Sequence, residues 1–389
     1  MHLSRQHEVW VITDPQFRED IERYLESHPN PQLHFEWVTL SPTWDPRRSV
    51  GSDKGLRFHY LLWQRVVLRK ARDLHDKHHF DVAHHVSWGT ISAPPQLWRL
   101  PIPFVWGPIG GGQTAPMKFL SYFGAGRHRE LLRTLRIGVM PRMPALRKAV
   151  RRSALILSTN AETTRILESA GALDVRHFEN TGVPEELLSI RLLNHSAERK
   201  ELILLWAGRL IPLKALPLAL EAIAKLDRSL AVRLQVVGEG VLREEMESLA
   251  HKLGVADRVD FVGAVPWKQM EKYYRGADIF LFTSLRDSFP TVVLEAMAFR
   301  LPILALDHQG VAAMLPSEAG IKVPVDDPAH TVSALADGIR NLAKSPDLRK
   351  RMGDAGWQYA QGLDWPGRVK QVTCWYEDVV KQYRERRAS

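Results

Sequence analysis

Short apolar runs rich in β-branched residues alternate with helical periods along the whole chain, and nothing else in the sequence restricts its fold as strongly. In the first half the runs are EVWVIT, LHFEWV, FDVAHH, PFVWG, ALILST and VRHFEN, with helical segments between several of them, notably Tyr60 to Asp76. The series restarts at Glu201 with ELILLWAG, AVRLQVVG, VDFVG, ADIFLFTS, LPILAL and GIKVP. Strands separated by helices join into parallel sheets through right-handed crossovers, so the class is α/β. With 389 residues, 45% of them hydrophobic, the chain can fill two cores. The stretch PEELLSIRLLNHSAERK is polar and poor in strand formers, which places a linker near residues 185–200. Two units of ordinary domain size follow, 1–190 and 200–362. A last helix, from about Trp365 to Arg387, has Trp375 and Tyr376 to bury against one of them.

Composition excludes some classes. No apolar run approaches the roughly eighteen residues of a membrane span. The opening MHLSRQHEVWVIT lacks a basic segment followed by a long apolar one, so no secretory signal is expected. Cys374 is the only cysteine, which fits a reducing compartment and a cytoplasmic location. The net charge of +9 is concentrated: residues 118–152 hold ten Lys/Arg against one acid, Glu130. Such a field favours an anionic partner, or forms a solvated helical face. Nucleic acid is not the expected partner, because the basic residues lack interleaved stacking aromatics.

In open α/β sheets ligands bind beyond the carboxyl ends of the strands, so the residues after each strand are the candidates. After LILLWA comes GRLIPLKA. Gly208 allows close backbone approach, and Arg209 and Lys214 stand around the turn into the next helix. Two cations beside helix amides suit a diphosphate. After LQVV, Gly238 of GEG suits a tight turn beside a ligand. After DIFLFT comes SLRDSFPTVVLEAMAFR, where Pro290 fits the first helical turn and the amides of Phe289, Thr291 and Val292 face the cleft. Glu295 lies too deep in that helix to serve its dipole, and a carboxylate flanked by apolar residues needs donors such as sugar hydroxyls. FDVAHHVSWGT ends a strand with two histidines, of which alternation lets at most one of His84 and His85 face the cleft. No cluster with metal-ligand spacing is visible, so no metal is expected. After PIPFVW, the loop GPIGGG (Gly110, Gly111 and Gly112 at its end) lets backbone pass close to a ligand. It lacks dinucleotide-fingerprint spacing, and the first strand ends in TDPQF without glycine, which argues against a simple dehydrogenase.

Most of the chain resembles the retaining glycosyltransferases of family 4. GRLIPLKA is similar to the family's G-R-L-x-x-x-K-G, and RDSFPTVVLEAMAFRLPI to its E-G-F-G-x-x-x-x-E-A-M-A-x-G-x-P. FDVAHHVSWG, PFVWGPIGGG, ENTGV and LDWPGRVKQVTCWYEDVV resemble motifs of a bacterial branch that builds polysaccharides and lipid-linked glycans. The resemblance implies a GT-B architecture: two facing Rossmann-like domains, the first completed by a cross-over helix, residues 365–389. It implies a UDP-sugar or GDP-sugar donor, no cofactor, and a hexosyl transfer that is metal-independent and retains configuration. The acceptor would be a glycan or a polyprenyl-diphosphate-linked one, reached by peripheral attachment of segment 118–152 to the inner face of an anionic membrane.

Residue by residue, Arg209 and Lys214 match the pair holding the donor diphosphate, and Glu295 the acid on the donor ribose. Asp287 matches the acid reading hydroxyls of the transferred sugar, and the amides after it, from Ser288 onward, would lie against diphosphate and sugar. His85 takes the place of the histidine beside the reacting centre, an assignment that moves to His84 if the motif shifts by one. Gly110, Gly111 and Gly112 would serve the acceptor side. Ala215, Ser288, Pro290 and Arg300 stand where the family has glycine, and Asp287 where it has glutamate. The rival readings are a nucleotide-sugar epimerase of the same shape and a catalytically inactive binding module.

Overall fold

The computed structural model describes residues 1–41, 45, 52–179, 181–183, 185–188 and 201–388. The twelve apolar runs form twelve strands. The first six are β1 (Val9–Thr13), β2 (Leu33–Trp37), β3 (Ala83–His85), β4 (Phe104–Ile109), β5 (Leu155–Ser158) and β6 (Val175–His177). Helices α1 (Arg18–Ser27), α2 (Ser52–His78), α3 (Arg127–Val139), α4 (Pro144–Arg152), α5 (Ala161–Ser169) and α6 (Glu185–Leu188) accompany them. Strands β1 and β2 pair in parallel, and β3 to β6 form a parallel sheet in chain order.

The second set is β7 (Leu202–Ala207), β8 (Val232–Val237), β9 (Val259–Gly263), β10 (Ile279–Phe282), β11 (Ile303–Leu306) and β12 (Gly320–Val323). Its helices are α7 (Leu216–Ala224), α8 (Arg243–Lys252), α9 (Trp267–Gly276), α10 (Thr291–Ala298), α11 (Gln309–Met314), α12 (Pro328–Lys344), α13 (Pro346–Gln361) and α14 (Trp365–Ala388). Sheet order is β12-β11-β10-β7-β8-β9, parallel throughout. The chain runs outward from β7 through β8 and β9, then returns to the other side of β7 and runs outward again. This is the doubly wound order, with its switch point between β7 and β10. Both faces are covered, which is why LILLWA reads as an unbroken apolar run. Alternation sends Leu204 and Trp206 into one core layer and Ile203 and Leu205 into the other.

Residues 189–200 of the expected linker lie outside the described residues. Its start is helix α6 rather than coil, and Leu187 is buried in the second lobe's core. Residue 389 of the expected last helix also lies outside. Helix α14 crosses back to the first lobe. Val372, Trp375, Tyr376 and Val379 pack against Val105, Leu155 and Leu157. Arg368, near its start, is 4% exposed; its Nη1 lies 2.7 Å from Glu179 Oε2, and its guanidinium lies 4.1 Å from the Phe178 ring.

Burial alone would raise the Glu179 carboxyl, but His177 and Arg368 outweigh it and hold it down at about 2. A carboxyl depressed in the folded state contributes stability that is complete above the ordinary carboxylate range and is lost as pH falls toward that folded value. Arg368→Gln leaves Glu179 without its cation, at an expected cost of about 3–5 kcal/mol. Denaturant melts at neutral pH should show that loss. The gap between variant and wild type should close as the pH is lowered from 4.5 toward 2, and a constant gap would refute the pairing.

Candidate active site

The carboxyl ends of β7 and β10, on either side of the switch point, carry Gly208–Lys214 and Ser284–Pro290. The first turn is held against the second strand. Trp206 Nε1 donates to Thr283 Oγ1 (3.0 Å), Thr283 Oγ1 donates to the Lys214 carbonyl (2.9 Å), and Leu285 N donates to the Leu213 carbonyl (2.9 Å). Gly238 closes the same end: a Cβ there would stand 1.8 Å from the Gly208 carbonyl oxygen, so only glycine lets these loops touch.

These anchors place Lys214 Nζ 2.5 Å from Asp287 Oδ2, with side chains 18% and 19% exposed. The ammonium also lies 5.3 Å from the Phe282 ring centre. Two residues chosen for different parts of a ligand therefore occupy each other. Arg209 is exposed, and among the described residues no ion pair restrains it. Pro290 is the N-cap of α10 rather than a residue of its first turn, so the helix begins one residue later than expected. The amides of Thr291 and Val292 have no hydrogen-bond acceptor among the described residues. Thr291 is exposed, whereas the Phe289 ring is buried in the core.

Glu295 accepts a hydrogen bond from the Tyr274 hydroxyl (2.7 Å), and burial raises its carboxyl above the ordinary range. With Trp267, Tyr274, Phe299 and Leu187 it borders a cavity of about 310 Å³. Two of the positions where the resemblance would put glycine keep left-handed backbone without it: Ala215 at φ 44° and Arg300 at φ 54°. That conformation costs about 1–2 kcal/mol per non-glycine residue. At Arg300 the cost is offset by Asp354 (2.7 Å) and by the Trp357 ring (4.1 Å).

The first lobe supplies the facing wall. A Cβ on Gly110 would lie 2.9 Å from Ser288 Oγ, so this loop touches the second lobe. Gln113 Nε2 donates to that same hydroxyl. Gln309 joins both sides: Asp287 N donates to its Oε1 (3.0 Å), and its Nε2 donates to the Thr114 carbonyl (2.7 Å). Ala115, Phe119 and Phe123 enter the second lobe's core, and Tyr122 donates to Glu221 (2.7 Å). None of these contacts is foreseen from the sequence, although Gln309 follows β11 and obeys the same strand-end rule as the residues that are.

His84 and His85 point to opposite sides of β3. The His84 Nε2–H donates to the Gly107 carbonyl (2.7 Å), leaving Nδ1 to accept from the Tyr376 hydroxyl (2.5 Å). His85 is buried, with Nε2 2.7 Å from the Tyr60 hydroxyl. Burial pushes both rings down to about 4, so both are neutral at pH 7. Both have partners within the first lobe. Among the described residues no group of three His, Cys, Asp or Glu is arranged to hold a metal ion.

Segment 118–152, expected as a membrane-attached basic segment or a solvated helical face, is only in part a surface helix. Leu132 and Leu135 on α3 are 66% and 69% exposed, but Ile137 and Met140 are core residues. Arg133 turns inward, donating through Nη2 to the carbonyls of Gly111 (3.0 Å) and Gln113 (3.1 Å).

Two parallel-sheet lobes facing across a cleft, the second doubly wound, make this a GT-B fold. Residues 193–358 match the family profile described as Glycosyl transferases group 1. A D-inositol 3-phosphate glycosyltransferase of Streptomyces coelicolor is 35% identical over 196 residues, 48% of this chain and 42% of that protein. The one from Nocardia farcinica is 28% identical over 250 residues, 60% of this chain and 54% of its own length. The chain thus spans about half the length of these relatives. Among solved structures, Anabaena HepE in complex with UDP superposes with a TM-score of 0.62 at 16% identity, covering 92% of this chain and 89% of that one. Sucrose-phosphate synthase of Thermosynechococcus elongatus gives 0.61 at 19% identity, over 90% and 84% of the two chains.

Asp287 competes with an added anion for the Lys214 ammonium. Asp287→Asn removes the internal competitor, so inorganic diphosphate should bind about tenfold more tightly than to wild type in calorimetry. Equal or weaker binding would show that the pair is not in competition with the ligand.

Proposed function

We propose that this protein transfers a sugar from a nucleoside diphosphate donor to an acceptor hydroxyl, with retention of anomeric configuration. The observation that carries the reading is the meeting of Lys214 and Asp287 at the switch point of a group 1 glycosyltransferase lobe, facing the glycine loop of the other lobe. On this reading Arg209 and Lys214 receive the diphosphate, together with the free amides at the start of α10. Glu295 takes the ribose, and the adjoining cavity, walled by Trp267 and Tyr274, takes the base. The UDP held by HepE supports this class of donor.

As the glycosidic bond breaks, charge builds on the departing diphosphate. Fixed cations and amides at that place provide the main catalytic effect. Asp287, released from Lys214 by the incoming phosphates, is free to accept from hydroxyls of the transferred sugar. His85, buried against Tyr60 and neutral at pH 7, neither holds a metal nor forms a covalent intermediate. The acceptor attacks from the side the diphosphate leaves, and a phosphate oxygen takes its proton. The positive charge a metal would bring is supplied by Arg209 and Lys214, so activity should persist in excess chelator.

The acceptor is a glycan or glycolipid reached at an anionic membrane surface. Leu132, Leu135 and Val139 are exposed on a helix that also carries Arg129 and Arg136, which supports interfacial contact. No helix among the described residues is long and apolar enough to cross a membrane.

A thermal-shift panel of UDP- and GDP-sugars identifies the donor, since a ligand selective for the folded state raises the melting temperature. Incubation with that donor should yield glycoside, and a free C2 epimer without glycoside would establish an epimerase instead. Lys214→Ala should lower turnover about 10²–10³-fold, as loss of one preorganised donor to a developing anion does. Near-normal turnover would remove the diphosphate role. Vesicles containing acidic lipid should float the protein and neutral ones should not; equal behaviour would refute the membrane contact.

A further inference from the structure

Beneath the glycine loop, where the two lobes meet, two guanidinium groups share one carboxylate. Glu130 Oε1 lies 3.2 Å from Arg286 Nε and 3.9 Å from Arg133 Nε, and accepts from Ala115 N (3.3 Å). The side chains are 23%, 27% and 7% exposed for Arg286, Arg133 and Glu130. Arg136 adds positive charge beside Arg133. This cluster is undercompensated in a place where water screens poorly.

Its donors are also underused. Neither Nε makes a hydrogen bond, and Arg286 as a whole donates to nothing among the described residues. Arg133 spends Nη2 on the carbonyls of Gly111 and Gln113. Burial and the Arg286 charge push its guanidinium down to about 10, the response of a cation short of anions. Two guanidinium groups here face a single carboxylate.

The position tells which ligand is meant. Arg286 immediately precedes Asp287, and Gly111 lies in the loop that touches Ser288, so an anion here sits beside the donor crevice but on the acceptor wall. Guanidinium forks match a phosphate's paired oxygens better than they match any neutral sugar. We propose that Arg133 and Arg286 form a phosphate subsite for the acceptor, held open by Glu130 until an acceptor phosphate takes its place. The inference rests on the donor reading above for what lies next to it.

Calorimetry with methyl phosphate, on protein saturated with UDP so that the donor crevice is filled, tests it. Wild type should bind one equivalent. Arg286→Gln should weaken binding at least about tenfold, the usual effect of losing a charge-assisted hydrogen bond. Glu130→Gln, which removes the competing carboxylate, should strengthen it; a merely structural role predicts no gain. Lys214→Ala should lose UDP affinity yet keep methyl phosphate when titrated without nucleotide. Failure of UDP to bind wild type would thus bring down the donor reading alone, since the nucleotide-free titration still reads this subsite. No methyl phosphate binding by wild type, no tightening in Glu130→Gln, or loss of the site with Lys214→Ala would each overturn the proposal. Phosphatidylglycerol vesicles added as competitor identify the carrier: displacement assigns a lipid-borne phosphate and no displacement a soluble one, and both outcomes keep the site.

Discussion

Strand β10 lies against β7, not beside β9, and the crevice opened by that reversal is what brings residues 73 positions apart within 2.5 Å. Every other candidate contact refers back to it. The Lys214 turn is fixed to the end of β10 by Thr283 and Leu285, the Asp287 peptide by Gln309, and the first lobe meets both through Gln113, Thr114 and the segment running on to Phe123. The ion pair at the centre is neutral as a unit and open enough to be taken apart. A ligand with two negative phosphates has more to offer Lys214 than one carboxylate does, and the carboxylate it displaces becomes an acceptor for hydroxyls.

The central strands of the second sheet were legible because a parallel strand covered on both faces is an unbroken apolar run, whereas β1, β2 and β6, half-buried and partly polar, showed only through their β-branched and aromatic residues. Strand ends then pointed to Arg209 and Lys214, the apolar flanks of Glu295 to a carboxylate in need of donors, and the family resemblance to Asp287. What the sequence could not supply was pairing between elements. That Lys214 binds Asp287, or that Glu295 meets Tyr274, depends on how β10 and α9 lie, and neither leaves a local pattern. The start of α10 was displaced by one residue because proline is as acceptable just before a helix as within its first turn.

Segment 118–152 shows the limit most clearly. Its alternating leucines and arginines describe an amphipathic surface helix, and part of α3 is one. The pattern treats Arg133 and Arg136 alike, yet Arg136 faces water while Arg133 reaches under the glycine loop. The difference comes from the Gly111 and Gln113 carbonyls within reach of Arg133, a property of the loop and not of the helix. Ala215 and Arg300 carry a similar lesson: both hold left-handed backbone without being glycine, and at Arg300 the contacts to Asp354 and Trp357 help offset the cost.

Gln309 gives the cleft a mechanical property. Its amide oxygen steadies the peptide that bears Asp287, and its amide nitrogen is tied to Thr114 across the gap. A planar amide moves as one piece, so any rotation that draws Thr114 away tugs on the carboxylate's own backbone. The spacing of the lobes at Thr114 and the position of the Asp287 peptide are in this way geared together through a single uncharged side chain.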